Sequence, residues 1–265
     1  MAVKNKKKSK KFIIIEKPKS GKVLAAVAAV LIIALVVSVL VIANGPGSAK
    51  GSAQYDFGKK VADGIDVSEH NKKVDWEKVA KNKDFAFIRV GYRGYGNGKI
   101  VEDKYAKENL KGANDAGIPV GVYFYTQAIT PKEAKEEAKF VIDMIKHYDI
   151  SLPIVIDFEY PDDETGMRVG RLCDANLNSG EKTDIINAFC SYVENKGYAG
   201  GVYASSSVLN LDINTKKLSK DTLVWVADYN KKVTYNVDYT IWQYSKTGSV
   251  DGVESEFVDL NYWYK

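Results

Sequence analysis

Cysteine and histidine are almost missing from this chain, with two of each in 265 residues. So few cysteines cannot frame a miniprotein held by disulfides, and two Cys with two His cannot build a zinc site unaided. Any metal would have to be held by carboxylates. The glycines at 91, 94, 96 and 98 lack the following Lys-Ser/Thr of a phosphate cradle, so they read as a rim loop, and no cofactor is expected. Whether Cys173 and Cys190 pair is left open by their spacing alone. What is abundant is ordinary globular material, 45% hydrophobic and 27% charged, which excludes disorder as the main state.

The net charge of +4 hides an uneven distribution. Residues 1–22 carry nine Lys against one Glu, so the remainder of the chain is mildly acidic. The basic tail runs straight into Val23–Ala43, where Ser38 is the only polar residue. As a helix that stretch would be ~31 Å long, enough to cross a hydrocarbon core of roughly 30 Å. Its length behind a basic head fits an uncleaved anchor better than a signal peptide, whose apolar region is usually about 7–15 residues. The lysines then place the N-terminus in the cytoplasm and the bulk of the chain outside, in a single-pass cell-membrane protein. They read as topology and lipid attraction, and no nucleic acid is expected. The expected organisation is a cytoplasmic tail (1–22), a transmembrane anchor (23–43) contacting the bilayer, a flexible Gly/Ser/Ala/Lys linker (44–62) and a folded domain (63–265).

In that domain eight short apolar, β-branched or aromatic runs recur: 64–68, 85–92, 119–126, 153–160, 200–205, 223–229, 239–244 and 257–263. Helical stretches separate the first five, at 75–81, 102–116, 131–147 and 182–196, the third opening with Thr130 as N-cap and Pro131 behind it. Strand–helix alternation implies parallel strands joined by crossovers. After residue 205 the runs crowd together. The pattern predicts an α/β fold, an irregular barrel with βα units first and plain strands last.

In a parallel barrel the C-terminal strand ends carry function. Here they offer carboxylates: Asp66 on the first run, Asp157 and Glu159 on the fourth, Asp228 on the sixth. Each sits in an apolar setting where an ionised group is costly. Asp157 and Glu159, at i and i+2 of a strand, would share a face about 6.5–7 Å apart, and each charge would disfavour the other. One proton donor beside one carboxylate suits glycosidic bond cleavage. Two other readings stay open: ion pairs with Arg89, Arg93 or a Lys, and a divalent cation held by the same acids. Tyr123, Tyr125, Trp225, Tyr229, Trp242 and Tyr244 are either barrel packing or sugar-stacking residues.

Gly64-Ile-Asp-Val-Ser-Glu-His70, Val74-Asp-Trp76, Phe87-Ile-Arg-Val-Gly-Tyr92, Gly121-Val-Tyr-Phe-Tyr125, Ile156-Asp-Phe-Glu159, Gly197-Tyr-Ala-Gly-Gly-Val-Tyr203, Trp225-Val-Ala-Asp-Tyr229 and Trp242-Gln-Tyr244 together resemble the family 25 glycoside hydrolases, the lysozymes that act on peptidoglycan. The resemblance covers the domain from Asp63 onward and implies a barrel of five βα units followed by three strands. It implies N-acetylmuramidase activity, hydrolysis of the β-1,4 bond between N-acetylmuramic acid and N-acetylglucosamine in glycan strands. It makes Glu159 the general acid and Asp157 the residue that steadies the substrate's 2-acetamido group, which would attack the anomeric carbon. Asp66 and Asp228 would complete the acidic floor, with Tyr125, Trp242, Tyr123 and Arg89 as substrate-binding candidates. One departure is Lys72, where many members place Gly, which bears on the first βα loop and leaves the acids untouched. The alternative is a glycan-binding or scaffold protein of the cell envelope that kept the fold without turnover. No protein partner is legible.

Overall fold

The computed structural model describes residues 55–265. The expected tail, the anchor and residues 44–54 of the linker lie outside the described residues. Among the described residues no helix is long and apolar enough to cross a membrane.

Nine strands form one sheet: β1 (Val61–Val67), β2 (Phe85–Arg93), β3 (Ile100–Glu102), β4 (Val120–Tyr125), β5 (Ile154–Asp157), β6 (Gly200–Ser205), β7 (Leu223–Ala227), β8 (Ile241–Gly248) and β9 (Val258–Tyr264). Eight of them close a ring because β1 pairs with both β2 and β9, while β3 hangs on the last residues of β2. From β1 through β8 the ring pairings are parallel. Within the ring β9 alone runs the other way, antiparallel to β8 and β1, while β3, outside the ring, is antiparallel to β2.

Helices follow the earlier strands: α1 (Trp76–Asn82), α2 (Ala106–Asp115), α3 (Pro131–Ile145), a single turn α4 (Arg171–Asp174), α5 (Ser179–Glu194) and a short α6 (Ser206–Leu211). None separates β7, β8 and β9, in keeping with the crowded runs of the sequence. Thr130 caps α3 as expected, its hydroxyl accepting from Glu133 N–H at 3.2 Å. α5 begins one turn earlier than expected because Asn178 and Glu181 form a reciprocal capping box. The stretch from Glu102 is not helical at its start, since residues 100–102 are taken by β3 and Asp103 turns the chain by accepting from Tyr105 N–H.

Strand alternation sorts the apolar residues into two cores. Ala86, Ile88, Val122, Phe124, Ile154, Ile156, Val202 and Val226 point outward under the helices. Phe85, Phe87, Tyr123, Val155, Tyr203, Trp225 and Trp263 point inward and fill the ring. Burying each large ring stabilises by roughly 1.5–3 kcal/mol. Room for them comes from Gly64 and Gly121, where a Cβ would lie 2.4 Å from the Phe85 ring and 2.3 Å from the Phe87 ring.

The folded part starts earlier than the expected boundary at 63. Val61 and Ala62 belong to β1, and Phe57 packs 5.5 Å from Phe85 and 5.4 Å from Trp263, closing the end of the ring where the parallel strands begin. Cys173 and Cys190 are both free thiols; Cys190 is buried on α5.

Candidate active site

At the opposite end, where the parallel strands finish, a pocket is lined by Asp66, Tyr123, Asp157, Glu159, Tyr203, Trp225, Gln243 and Asp259. Its floor is aromatic and its walls are acidic. Asp66 comes from β1, Asp157 closes β5, and Glu159 lies two residues past that strand. Inward and outward alternation nonetheless continues, with Phe158 fully buried in the outer core and the two acids on the pocket side.

The hydrogen bonds around Asp66 have a fixed polarity. Tyr203 and Tyr229 hydroxyls donate to Gln243 Oε1 at 2.9 and 2.7 Å, so Gln243 must present its amide N–H, which donates to Asp66 Oδ2 at 2.9 Å. Likewise Trp225 Nε1 donates to Asn261 Oδ1, and Asn261 Nδ2 donates to Asp66 at 2.8 Å. Two donors on one carboxylate oxygen favour its ionised form. Burial pushes Asp66 up to about 6 all the same, with these bonds holding it lower than burial alone would.

The other three acids are held more strongly protonated. Burial, then the charges of Asp66 and Asp162, pushes Glu159 up to about 7. Asp259 rises to about 8 through burial, then Asp66 and Glu159. Asp157 is raised well above its ordinary value by burial, then by Glu159, and its Oδ1 is buried with no hydrogen-bond partner among the described residues. The expected cause, repulsion within the Asp157–Glu159 pair, is therefore secondary to burial.

Among the described residues neither Asp157 nor Glu159 makes an ion pair, so the ion-pair reading does not hold there. Arg89 on β2 is occupied by Asp103 at 2.8 Å and Glu69 at 3.0 Å, and Arg93 by buried Glu137 at 2.6 Å. Arg89 sits outside the pocket lining but near enough for its charge to lower both Asp157 and Glu159. Among the described residues no group of three or more His, Cys, Asp or Glu is arranged to hold a metal ion.

Two expected site residues are elsewhere. Asp228 follows Ala227, whose side chain faces into the ring, so Asp228 faces out. Its oxygens accept from Ser206 Oγ, from Thr234 N–H and Oγ1, and from Asn230 N–H and Nδ2, at 2.6–3.1 Å. Burial raises its pKa, and these bonds more than offset that, leaving it below the usual carboxylate range. It clamps the β7–β8 connection. Trp242 is likewise on the outward face of β8, next to inward Gln243, with its Nε1 donating to Asp228 O at 2.7 Å and its ring beside Tyr244 and Tyr262. Tyr123 lies in the pocket, and Tyr125 is the register partner of Asp157 at its rim.

The acid that takes the place expected for Asp228 is Asp259, which the sequence reading passed over. It stands second in β9, and because β9 is antiparallel that start lies at the mouth. Its signal was alternation: Asp259, Asn261 and Trp263 share one face.

Comparisons with known proteins bear on the family and the fold. The model of a family described as glycosyl hydrolases family 25 matches residues 65–253. A curated autolytic lysozyme of Clostridium acetobutylicum is 27% identical over 191 residues, which is 72% of this chain and 52% of that protein. Among solved structures, the modular autolysin LytC from Streptococcus pneumoniae, in complex with a synthetic peptidoglycan ligand, is 30% identical with a TM-score of 0.64, covering 77% of this chain and 47% of that one. The spore cortex lytic enzyme SleM of Clostridium perfringens is 25% identical with a TM-score of 0.62, covering 79% of this chain and 68% of that one. The chain thus spans about half the length of the Clostridium acetobutylicum protein and of the LytC chain.

Proposed function

The chain belongs to glycosyl hydrolases family 25, and from that membership we propose that it is a lysozyme, hydrolysing the β-1,4 bond between N-acetylmuramic acid and N-acetylglucosamine in peptidoglycan. The observation that carries the reading is Glu159, a pocket carboxyl raised to about 7 that can hold its proton near neutrality. The proton passes from Glu159 to the glycosidic oxygen as the bond to the anomeric carbon breaks. The acetamido oxygen of the same sugar attacks that carbon and closes a ring. Asp157 Oδ1, buried and without a hydrogen-bond partner among the described residues, offers an acceptor for the acetamido N–H as this happens. Water then opens the ring, giving its proton to the Glu159 carboxylate. Asp66, the least raised of the pocket acids, supplies negative charge to the developing cationic sugar.

The test is digestion of purified peptidoglycan with mass analysis of the new ends. N-acetylmuramic acid should appear at the reducing ends, and Glu159→Gln should abolish its release while the protein stays folded. A protein that binds wall fragments and releases no ends would be the non-catalytic envelope protein instead. The apolar 23–43 span behind nine lysines supports anchoring in the cell membrane with the barrel outside. Protease added to intact cells should then remove the barrel and spare the tail.

A further inference from the structure

Glu159 sits beyond the end of its strand, so something other than the β ladder must hold it. The last ladder bonds are Thr126 N–H to Asp157 O at 3.0 Å on the β4 side and Phe158 N–H to Tyr203 O at 2.8 Å on the β6 side. In a parallel ladder the next donor from the β4 side would be Ala128 N–H, aimed at Glu159 O. That donor is diverted, since Ala128 N–H donates to the Thr126 hydroxyl at 3.0 Å. The side chain of Gln127 takes over, its Nε2 donating to Glu159 O at 3.2 Å.

The Gln127 side chain is fully buried, and its orientation is set from behind. Leu172 N–H donates to Gln127 Oε1 at 3.3 Å, which assigns the amide oxygen and leaves the nitrogen for Glu159. Arg171 Nη1 donates to Gln127 O at 3.2 Å, and Arg171 is itself tied to Glu133 at 2.8 Å. The turn that delivers Leu172 begins at Gly170, with φ +89, where a Cβ would lie 3.0 Å from Tyr95 Cβ and 3.3 Å from Gln127 Oε1. Three segments thus converge on one amide: the end of β4, the loop after β5 and the turn α4.

We infer that Gln127 is the positioning residue for the acid, replacing the missing ladder bond and fixing the height at which the Glu159 carboxyl meets the glycosidic oxygen. The inference rests on Glu159 being the general acid. A misplacement of 1 Å can cost on the order of 10²-fold in rate, so one buried hydrogen bond suffices to matter.

The experiment compares full-length wild type, Gln127→Met and Glu159→Gln on peptidoglycan and on aryl β-glycosides of the N-acetylglucosaminyl-N-acetylmuramic acid disaccharide. A dinitrophenol leaving group departs without a proton, so a fault in acid delivery should shrink on that substrate. Gln127→Met keeps length and shape and loses the donor. Its kcat on peptidoglycan should fall about 10- to 100-fold with KM within about twofold, and its loss on the dinitrophenyl substrate should be below about threefold. Should Gln127→Met fail to fold, Gln127→Asn keeps the amide one methylene short and should give the same pattern. Equal losses on both substrates, or no loss on either, would overturn the inference while leaving the acid assignment intact, provided Glu159→Gln itself shows the leaving-group dependence. If Glu159→Gln shows none, the acid assignment fails and this inference falls with it.

Discussion

Asp66 and Asp259 face each other directly across the antiparallel β1–β9 pairing, two carboxylates in register at the mouth of the ring. Residues opposed in this way have Cβ atoms about 4.5–5.5 Å apart, a distance at which like charges oppose folding. The conflict is eased by unequal treatment. Asp66 receives amide donors from Gln243 and Asn261, whereas Asp259 makes no hydrogen bond with its carboxylate among the described residues and is pushed up to about 8.

Removing the Asp66 charge should therefore be felt at its neighbours. In Asp66→Asn, both Glu159 and Asp259 should titrate at lower pH than in wild type, since Asp66 is the leading charge raising each. Carboxyl-carbon NMR of the two proteins reads this directly. Unmoved titrations would mean that burial alone sets both values.

The pocket acids also make stability depend on pH. Asp66, Glu159 and Asp259 are raised to about 6, 7 and 8, above unfolded values of about 4, so the folded chain keeps protons that the unfolded chain releases. Their contribution is complete below about pH 4 and is lost as pH rises through 8. Asp157, raised for the same reason, should show it most cleanly. Asp157→Asn should melt higher than wild type at pH 8 and gain little at pH 4, by thermal unfolding at both values. A variant that melts lower at pH 8 would refute the burial penalty.

Asp228 has the opposite sign. Its lowered pKa makes it stabilising above pH about 4 and lost below that. Asp228→Ala strips the acceptor from Ser206, Thr234 and Asn230 and should cost about 3 kcal/mol at pH 7, measured by denaturant unfolding. The activity remaining per folded molecule should stay within severalfold of wild type, because the carboxylate does not line the pocket. A loss comparable to Glu159→Gln would return Asp228 to the site.

Lys72 stands at φ 60, ψ −131, a conformation that glycine adopts freely and a side chain does not. Lys72→Gly should raise stability by about 1 kcal/mol, visible as a higher denaturation midpoint with an unchanged slope. Equal or lower stability would show that the surrounding loop has relaxed around the lysine.

Much of the barrel was legible because its parallel strands are buried on both faces and read as continuous apolar runs. A carboxylate interrupting such a run is conspicuous, which is how Asp66, Asp157 and Glu159 were found. Direction along the ring is not written in a run. Asp259 was missed because the functional end of an antiparallel strand is its start, and nothing in Phe-Val-Asp-Leu-Asn-Tyr-Trp says which way the strand points. Asp228 and Trp242 were misplaced by one step of alternation, since Trp225 and Gln243 are the inward residues of their strands. Gln127 lies just past β4 in a loop, where no periodicity marks it.

The closure of the ring by β1 and β9 has a kinetic side. The bond from Asn261 to Asp66 joins residues 195 positions apart, and the one from Gln243 to Asp66 spans 177. Contacts of such separation carry a large loop-closure entropy and form slowly, after local βα units are in place. A partly folded chain can hold its helices and most of its parallel strands while Asp66 still lacks both of its amide donors. Hydrolytic competence should therefore appear in refolding as a late event, lagging the recovery of helix signal, and a chain clipped before β9 would be inert even where most of its secondary structure survives.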